Sequence, residues 1–197
     1  MGATSAMYNG LRRALNFEIS FINWPVYKGE SSYSQVAQRL IDENQITAED
    51  VVGGSSLGGM IALEIVRKTG AKHVVLIGTA VHSREVQPIL SLLSPLAAVT
   101  PMAIVQTLVG KNRNLVSAMF ADSDPNFIKA MSLYLQSWSG FRSSNIAIYR
   151  IHGGKDHVIP CPSEDCEIVE DAGHLIAITH IKEVTAFLER VRIKIDS

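Results

Sequence analysis

Short apolar runs rich in β-branched residues alternate along this chain with segments of helical periodicity. The strand-like runs are residues 17–22, 50–52, 73–78, 145–151 and 166–169. Helical patterns at residues 33–44 and 57–68 lie between them, and a last amphipathic segment follows. The apolar face of that segment consists of Ala177, Ile181, Val184, Phe187, Leu188 and Val191. Because parallel strands need a crossover connection, this alternation predicts an α/β fold with a mostly parallel sheet flanked by helices.

Residues 82–144 interrupt the alternation. They contain no strand pattern but several short helical ones, including Ile128, Met131, Leu135 and Trp138. We therefore predict a core made of residues 1–81 and 145–197, with residues 82–144 inserted as a helical cap, or lid.

The first part of this insertion has some features of a membrane span. Residues 86–110 carry no charged side chain, which favours a span, but Pro88, Pro95 and Pro101 interrupt them at short intervals. A spanning helix needs about 20 predominantly apolar residues and tolerates proline only with support from neighbouring helices. Short helices that begin at proline are the better interpretation, so we expect no membrane span.

The amino-acid composition argues against several classes of function. Eighteen basic residues stand against nineteen acidic ones without a basic stripe, which argues against nucleic acid as a partner. Cys161 and Cys166 are the two cysteines, too few for a zinc site of cysteines alone. The first residues have neither the basic nor the apolar region of a signal peptide. Sparse cysteine and the absent signal predict a cytoplasmic protein.

A Gly-x-Ser-x-Gly motif occupies residues 54–58, between a strand pattern and a helix pattern. A nucleophile on a sharp strand-to-helix turn needs small residues two positions before and after it, which Gly54 and Gly58 supply. The helix N-terminus also directs free N–H groups towards negative charge that forms beside the serine. We predict Ser56 as the nucleophile; the alternative is a turn that only packs the helix on the sheet.

A serine hydroxyl needs a base within hydrogen-bond distance to act as a nucleophile at neutral pH. Among the six histidines, His174 lies in a loop before the last helix, whereas His73 begins a strand and His180 falls within the last helical segment. Asp156 directly follows a strand. Since parallel strands gather their site residues at their carboxyl ends, we predict that Asp156 and His174 join Ser56.

Three motifs in this order resemble the α/β-hydrolase superfamily, and the resemblance covers nearly the whole chain. Residues 54–59, Gly-Ser-Ser-Leu-Gly-Gly, resemble its nucleophile elbow. Residues 152–160, His-Gly-Gly-Lys-Asp-His-Val-Ile-Pro, are similar to its acid-bearing segment, and Gly173-His174 resembles its histidine loop. The resemblance implies a catalytic triad of Ser56, Asp156 and His174, and an oxyanion hole formed by the backbone N–H groups of Leu57 and Ala3.

Two departures from that family pattern shape the expected fold. The first loop of the family, matched here by Gly2-Ala3-Thr4, normally follows a strand beside the nucleophile strand, yet this chain begins at the loop. We therefore expect either further residues upstream or a gap in the sheet beside that strand. Only seventeen residues separate Asp156 from His174, so residues 160–165 are expected to replace the usual helix by a loop.

The motifs predict a serine hydrolase acting on an ester or thioester of a small to medium apolar acyl group. We place His82, Tyr134, Trp138 and Val158 in the substrate pocket, with packing inside the cap as the alternative for the two aromatic residues. A C–C bond or lactone hydrolase with the same triad, and a non-catalytic binding protein, stay open. No nucleotide, haem or metal motif is present, so we expect no cofactor. The natural substrate and the oligomeric state are left open.

Overall fold

A sheet of four parallel strands forms the centre of the computed structural model, which describes residues 4–86, 124–142 and 145–197. The strands lie in the order β1-β2-β3-β4. They are β1 (Val52–Ser55), β2 (His73–Ile77), β3 (Ala147–Gly153) and β4 (Glu167–Val169). Every neighbouring pair is parallel, so all carboxyl ends meet at one edge of the sheet.

Helices cover both faces of this sheet. They are α1 (Asn9–Ala14), α2 (Tyr33–Asn44), α3 (Leu57–Thr69), α4 (Pro125–Ser137), α5 (Ile176–Thr179) and α6 (Ile181–Asp196), with short 3-10 helices at Ser5–Tyr8 and Ser83–Val86. Val74 and Leu76 of β2 pack with α2, α3 and α4, while Val75 and Ile77 pack with α1, α5 and α6. Successive side chains of β2 thus enter two separate cores, as expected of a parallel strand buried on both faces. The predicted α/β fold class is confirmed.

Two helices show why the sequence forms them where it does. At the start of α2 the Ser32 hydroxyl accepts a hydrogen bond from the N–H of Gln35, and the helix ends as predicted at Asn44. At the end of α3, Gly70 takes a left-handed conformation with φ 76° and donates its N–H to the carbonyl oxygen of Val66. This confirms the predicted C-terminal glycine.

The predicted strand at residues 17–22 is wrong, because the structure has no paired strand there. Phe17, Ile19 and Phe21 nonetheless pack against the core on the α6 side, whereas Ile22 is exposed. The alternation of apolar and polar residues therefore predicts correctly that one side of this segment is buried. A strand also needs a neighbouring strand with free hydrogen-bonding groups, which local alternation does not specify.

Several element boundaries also differ from the prediction; β3, for example, covers Ala147–Gly153 rather than residues 145–151. β1 begins at Val52 rather than Asp50, because the Asp50 carboxylate accepts hydrogen bonds from the N–H and hydroxyl of Thr47 and so closes a turn. The last helical segment is divided at His180, which ends α5 and precedes α6. His180 was expected within one continuous helix and is instead a junction residue.

The structure describes only part of the insertion expected at residues 82–144, since residues 87–123 and 143–144 lie outside the described residues. Its described helix, α4, packs beside α2, where the Tyr33 hydroxyl donates to the carbonyl oxygen of Met131 at 2.8 Å. In the described ranges no helix is long and apolar enough to span a membrane. Among the same residues β1 pairs with β2 alone, so its other edge has no strand where the resemblance leads us to expect one.

Candidate active site

Ser56 occupies the single-residue connection between β1 and α3. Its backbone has φ 54° and ψ −127°, a combination that residues other than glycine rarely adopt. The Ser56 N–H donates to the carbonyl oxygen of Ile77 at 3.0 Å, so hydrogen bonding to β2 holds the turn in place. Backbone strain of this kind costs about 1–3 kcal/mol and persists only where the surroundings enforce it.

The glycines of the motif have unequal roles in this turn. A Cβ atom at Gly54 would overlap the carbonyl group of Gly58 and lie 2.5 Å from the backbone nitrogen of Gly59. At Gly58 itself a Cβ would meet no atom within 4 Å outside its own helix turn. The expectation that both flanking positions must be small is therefore correct for Gly54 and wrong for Gly58 in steric terms. At Gly59 a Cβ would lie 2.8 Å from the Cβ of Thr79, so close helix–sheet packing requires glycine there as well.

This asymmetry gives a stability prediction. We expect Gly54→Ala to destabilise the fold by about 3 kcal/mol, because the added methyl meets backbone atoms that cannot move away. The matched variant Gly58→Ala should leave stability unchanged or raise it by up to about 1 kcal/mol, because alanine is the better helix residue. Urea unfolding of both variants measures the difference, and equal destabilisation would contradict it.

The three residues of the predicted triad lie in one hydrogen-bonded line. The Ser56 Oγ is 2.8 Å from the His174 Nε2, and the His174 Nδ1 is 2.8 Å from the Asp156 Oδ2. Because the Asp156 carboxylate accepts, Nδ1 carries the hydrogen, which leaves Nε2 of a neutral imidazole to accept the serine proton. The arrangement is that of a nucleophile, its base and the group that orients the base.

The other Asp156 oxygen is held by the backbone. Asp156 Oδ1 accepts hydrogen bonds from the N–H groups of Val158 at 2.8 Å and Ile159 at 3.0 Å. The Nε2 of buried His152 also lies 3.1 Å from Asp156 Oδ2 and 2.9 Å from the carbonyl oxygen of Ile159. Since both of those atoms are acceptors, this nitrogen must carry a hydrogen.

These contacts determine the charge of Asp156. Burial alone would raise the pKa of its carboxyl group, but hydrogen bonds from His152, His174 and the N–H of Ile159, together with the charge interaction with His174, outweigh burial. The pKa therefore lies far below its ordinary value. Asp156 stays ionised at neutral pH, as an orienting carboxylate must.

The loops that carry Asp156 and His174 are joined by a backbone hydrogen bond. The N–H of Lys155 donates to the carbonyl oxygen of Ala172 at 2.9 Å. A Cβ at Gly153 would lie 2.5 Å from that oxygen and 2.6 Å from the carbonyl oxygen of Gly173. The Gly-Gly pair before Asp156 thus lets the histidine loop approach closely, which explains its place in the motif.

Of the two predicted oxyanion-hole donors, the structure describes one. Leu57 is the first residue of α3, so its N–H is one of the free N–H groups at the start of that helix. The thirteen residues of α3 also place the positive end of a helix dipole next to Ser56. Ala3 lies outside the described residues.

The predicted pocket residues have contacts within the protein. The Trp138 indole is buried and donates to a carboxylate oxygen of Glu64 at 3.2 Å, and the Tyr134 hydroxyl donates to the carbonyl oxygen of Glu30. Through these contacts both aromatic residues pack the insertion against the core. A role for them in a pocket stays a prediction.

The other two predicted pocket residues, Val158 and His82, lie in loops that follow strands of the sheet. Val158 holds Asp156 through its N–H and packs partly buried against the α2–α3 core. His82 follows the loop after β2, forms a bridge with Gly140 and donates its N–H to Glu85 at 3.3 Å. Pocket roles for both likewise stay predictions.

Sequence reasoning missed two residues beside the triad. His152 was read only as part of a motif, although its spacing of four residues from Asp156 was the available signal. Thr79 was not singled out; its hydroxyl donates to the carbonyl oxygen of Ser56. No local pattern marks Thr79, because its contact depends on how β1 and β2 align.

No known sequence family matches this chain, and no curated protein matches it in sequence. Several solved structures do resemble it. A thermophilic esterase from Thermogutta terrifontis aligns with a TM-score of 0.68 at 16% identity, over 98% of this chain and 86% of its own. A lipase-esterase related protein from Clostridium acetobutylicum gives a TM-score of 0.71 at 12% identity, over 96% and 90%. An α/β-hydrolase fold protein from Burkholderia ambifaria aligns with a TM-score of 0.55 at 15% identity, over 83% of this chain and 74% of its own.

These likenesses agree with the parallel sheet and the flanking helices. The chain has the α/β-hydrolase fold. Because one fold hosts many chemistries, the activity has to be derived from the site itself.

Proposed function

We propose that this protein is a serine hydrolase that cleaves an ester or thioester of a small to medium apolar acyl group. The single observation that carries the proposal is the line of two 2.8 Å contacts from Ser56 through His174 to Asp156. The strained backbone of Ser56 adds support, since strain concentrates at functional positions. Hydrolysis is also favoured because proteins with a similar fold include an esterase and a lipase-esterase related protein.

In the first half of the reaction, Ser56 Oγ attacks the acyl carbonyl carbon while His174 Nε2 takes its proton. Asp156 holds the imidazole tautomer and stabilises the imidazolium that forms. The carbonyl oxygen becomes an oxyanion, which the N–H of Leu57 stabilises together with the proposed donor Ala3; one such donor typically contributes about 3–4 kcal/mol. His174 then protonates the leaving alcohol or thiol, and the acyl group remains on Ser56.

In the second half, a water molecule attacks the acyl-enzyme. His174 Nε2 accepts a proton from this water, and the resulting hydroxide adds to the carbonyl carbon. Collapse of the tetrahedral intermediate breaks the bond to Ser56 Oγ, which regains its proton from His174. The products are a carboxylic acid and the regenerated enzyme.

A series of p-nitrophenyl esters tests the acyl preference. We expect kcat/KM to rise from acetate to hexanoate, because each buried methylene contributes about 0.8 kcal/mol, or roughly fourfold. It should fall for palmitate, which exceeds a pocket for small to medium groups. Hydrolysis rates of purified protein measure the profile, with Ser56→Ala as the blank. Highest activity on palmitate, or on acyl groups with a charged end, would contradict the proposed substrate class.

A further inference from the structure

Thr79 contacts the nucleophile through its backbone. Thr79 follows β2 by two residues, is 1% exposed, and donates its hydroxyl hydrogen to the carbonyl oxygen of Ser56. The same oxygen accepts the N–H of Gly59 at 3.0 Å. A side chain outside the triad therefore holds one end of the peptide unit that follows the nucleophile, the unit whose N–H belongs to Leu57.

That peptide unit links two catalytic functions. Its carbonyl side belongs to Ser56, whose ψ of −127° sets the orientation of the unit. Its N–H side belongs to Leu57, the proposed oxyanion donor. Rotation of the unit about the Cα–C bond of Ser56 would turn this N–H away from the oxyanion site. A hydrogen bond to its carbonyl oxygen opposes that rotation.

The backbone of Thr79 is itself held by a partly buried ion pair. Its carbonyl oxygen accepts a hydrogen bond from Arg150 Nη2 at 3.1 Å, and the same nitrogen lies 2.7 Å from Glu85 Oε2. The Arg150 side chain is 8% exposed and the Glu85 side chain 12%. Glu85 also accepts the N–H groups of Val81 and His82, which closes the loop that contains Thr79. These contacts hold in place the backbone that carries the hydroxyl donor.

We propose that Thr79 is a positioning residue for the oxyanion-binding N–H beside the nucleophile, acting through the Ser56 carbonyl oxygen to fix ψ of Ser56 and the direction of the Leu57 N–H. This inference rests on the proposed hydrolase function. Because Thr79 is 1% exposed and contacts Ser56 through a backbone carbonyl oxygen, removing its hydroxyl should slow acylation without altering substrate binding. A misplacement of about 1 Å at a reacting group can reduce the rate about 100-fold.

The test compares Thr79→Val and Thr79→Ala, which lack the donor, with Thr79→Ser, which retains it. Two measurements are made well below the unfolding temperature: the rate of labelling by a fluorophosphonate probe, and kcat and KM on p-nitrophenyl butyrate. We expect Thr79→Val and Thr79→Ala to lower the labelling rate and kcat by about 10- to 100-fold with KM nearly unchanged. Thr79→Ser should retain most of the wild-type rate.

Thr185→Val is the matched control. Thr185 is a buried threonine on α6 whose hydroxyl has no hydrogen-bond partner among the described residues. Its replacement should leave labelling and kcat unchanged. If Thr79→Val and Thr79→Ala label at the wild-type rate and only their unfolding temperatures fall, Thr79 is structural and the inference is overturned. A wild-type protein that does not label at all would instead remove the proposed function, and the role of Thr79 with it.

Discussion

Replacing Ser56 by alanine is expected to lower kcat by at least about 10⁴-fold on any ester that the wild type cleaves. Oγ is the atom that bonds to the acyl carbon, and no other group in the triad can substitute for it. The residual rate would come from the oxyanion hole and substrate binding alone. Steady-state hydrolysis of p-nitrophenyl butyrate measures the loss.

The neighbouring serine provides the control for this variant. Ser55 and Ser56 are adjacent in the motif, but only Ser56 places its hydroxyl 2.8 Å from His174. Ser55→Ala should therefore retain most of the activity. Both variants should remain folded by circular dichroism, since alanine keeps the Cβ atom at either position. If Ser55→Ala lost the activity and Ser56→Ala kept it, the assignment of the nucleophile would be wrong.

The second large effect is expected for Asp156→Asn, which should lower kcat by about 10⁴-fold. The amide nitrogen of asparagine can donate to His174 Nδ1, which favours the tautomer with the hydrogen on Nε2. With a hydrogen already bound, His174 Nε2 can no longer accept the proton of Ser56. Asp171→Asn serves as the control, because Asp171 lies in the histidine loop with its side chain 75% exposed. An Asp156→Asn enzyme with rates near wild type would exclude the orienting role.

The same substitution should change how stability depends on pH. The folded-state pKa of Asp156 lies below its unfolded value, which is about 3.9. Its ionised form therefore contributes stability above that pH, and the contribution is lost as the pH falls towards the folded-state pKa. The stability difference between wild type and Asp156→Asn should be largest near neutral pH and should shrink below about pH 4. Urea unfolding at several pH values measures it, and a difference that grows on acidification would contradict the depressed pKa.

The general plan of the fold could be predicted because it depends on local patterns. The helix Tyr33–Asn44 has both its apolar face and its capping serine within the sequence, and it forms at the predicted bounds. Alternating strands and helices imply a parallel sheet, and the structure has one. From that topology alone, residues that follow different strands are expected at one edge, and Ser56, Asp156 and His174 do lie there together.

The features that the sequence did not specify depend on partners distant in the chain. Residues 17–22 alternate like a strand, yet strand formation requires a neighbour with which to pair. The contact of the Trp138 indole with Glu64 could not be predicted, because an aromatic residue shows the same periodicity whether it faces a core or a cavity; its pocket role stays a prediction. The contact of Thr79 with Ser56 follows from the register of β1 on β2, in which Ser55 lies opposite Ile77. No local sequence signal encodes such a register.

Covalent labelling by a fluorophosphonate tests most directly whether Ser56 is an activated nucleophile. The purified protein is incubated with the probe, and its intact mass and proteolytic peptides are measured beside those of Ser56→Ala. We predict one adduct per chain, located on Ser56, and none on the alanine variant. Folded wild-type protein that forms no adduct, or that carries it on a different residue, would contradict the assignment of Ser56, His174 and Asp156 as a working triad.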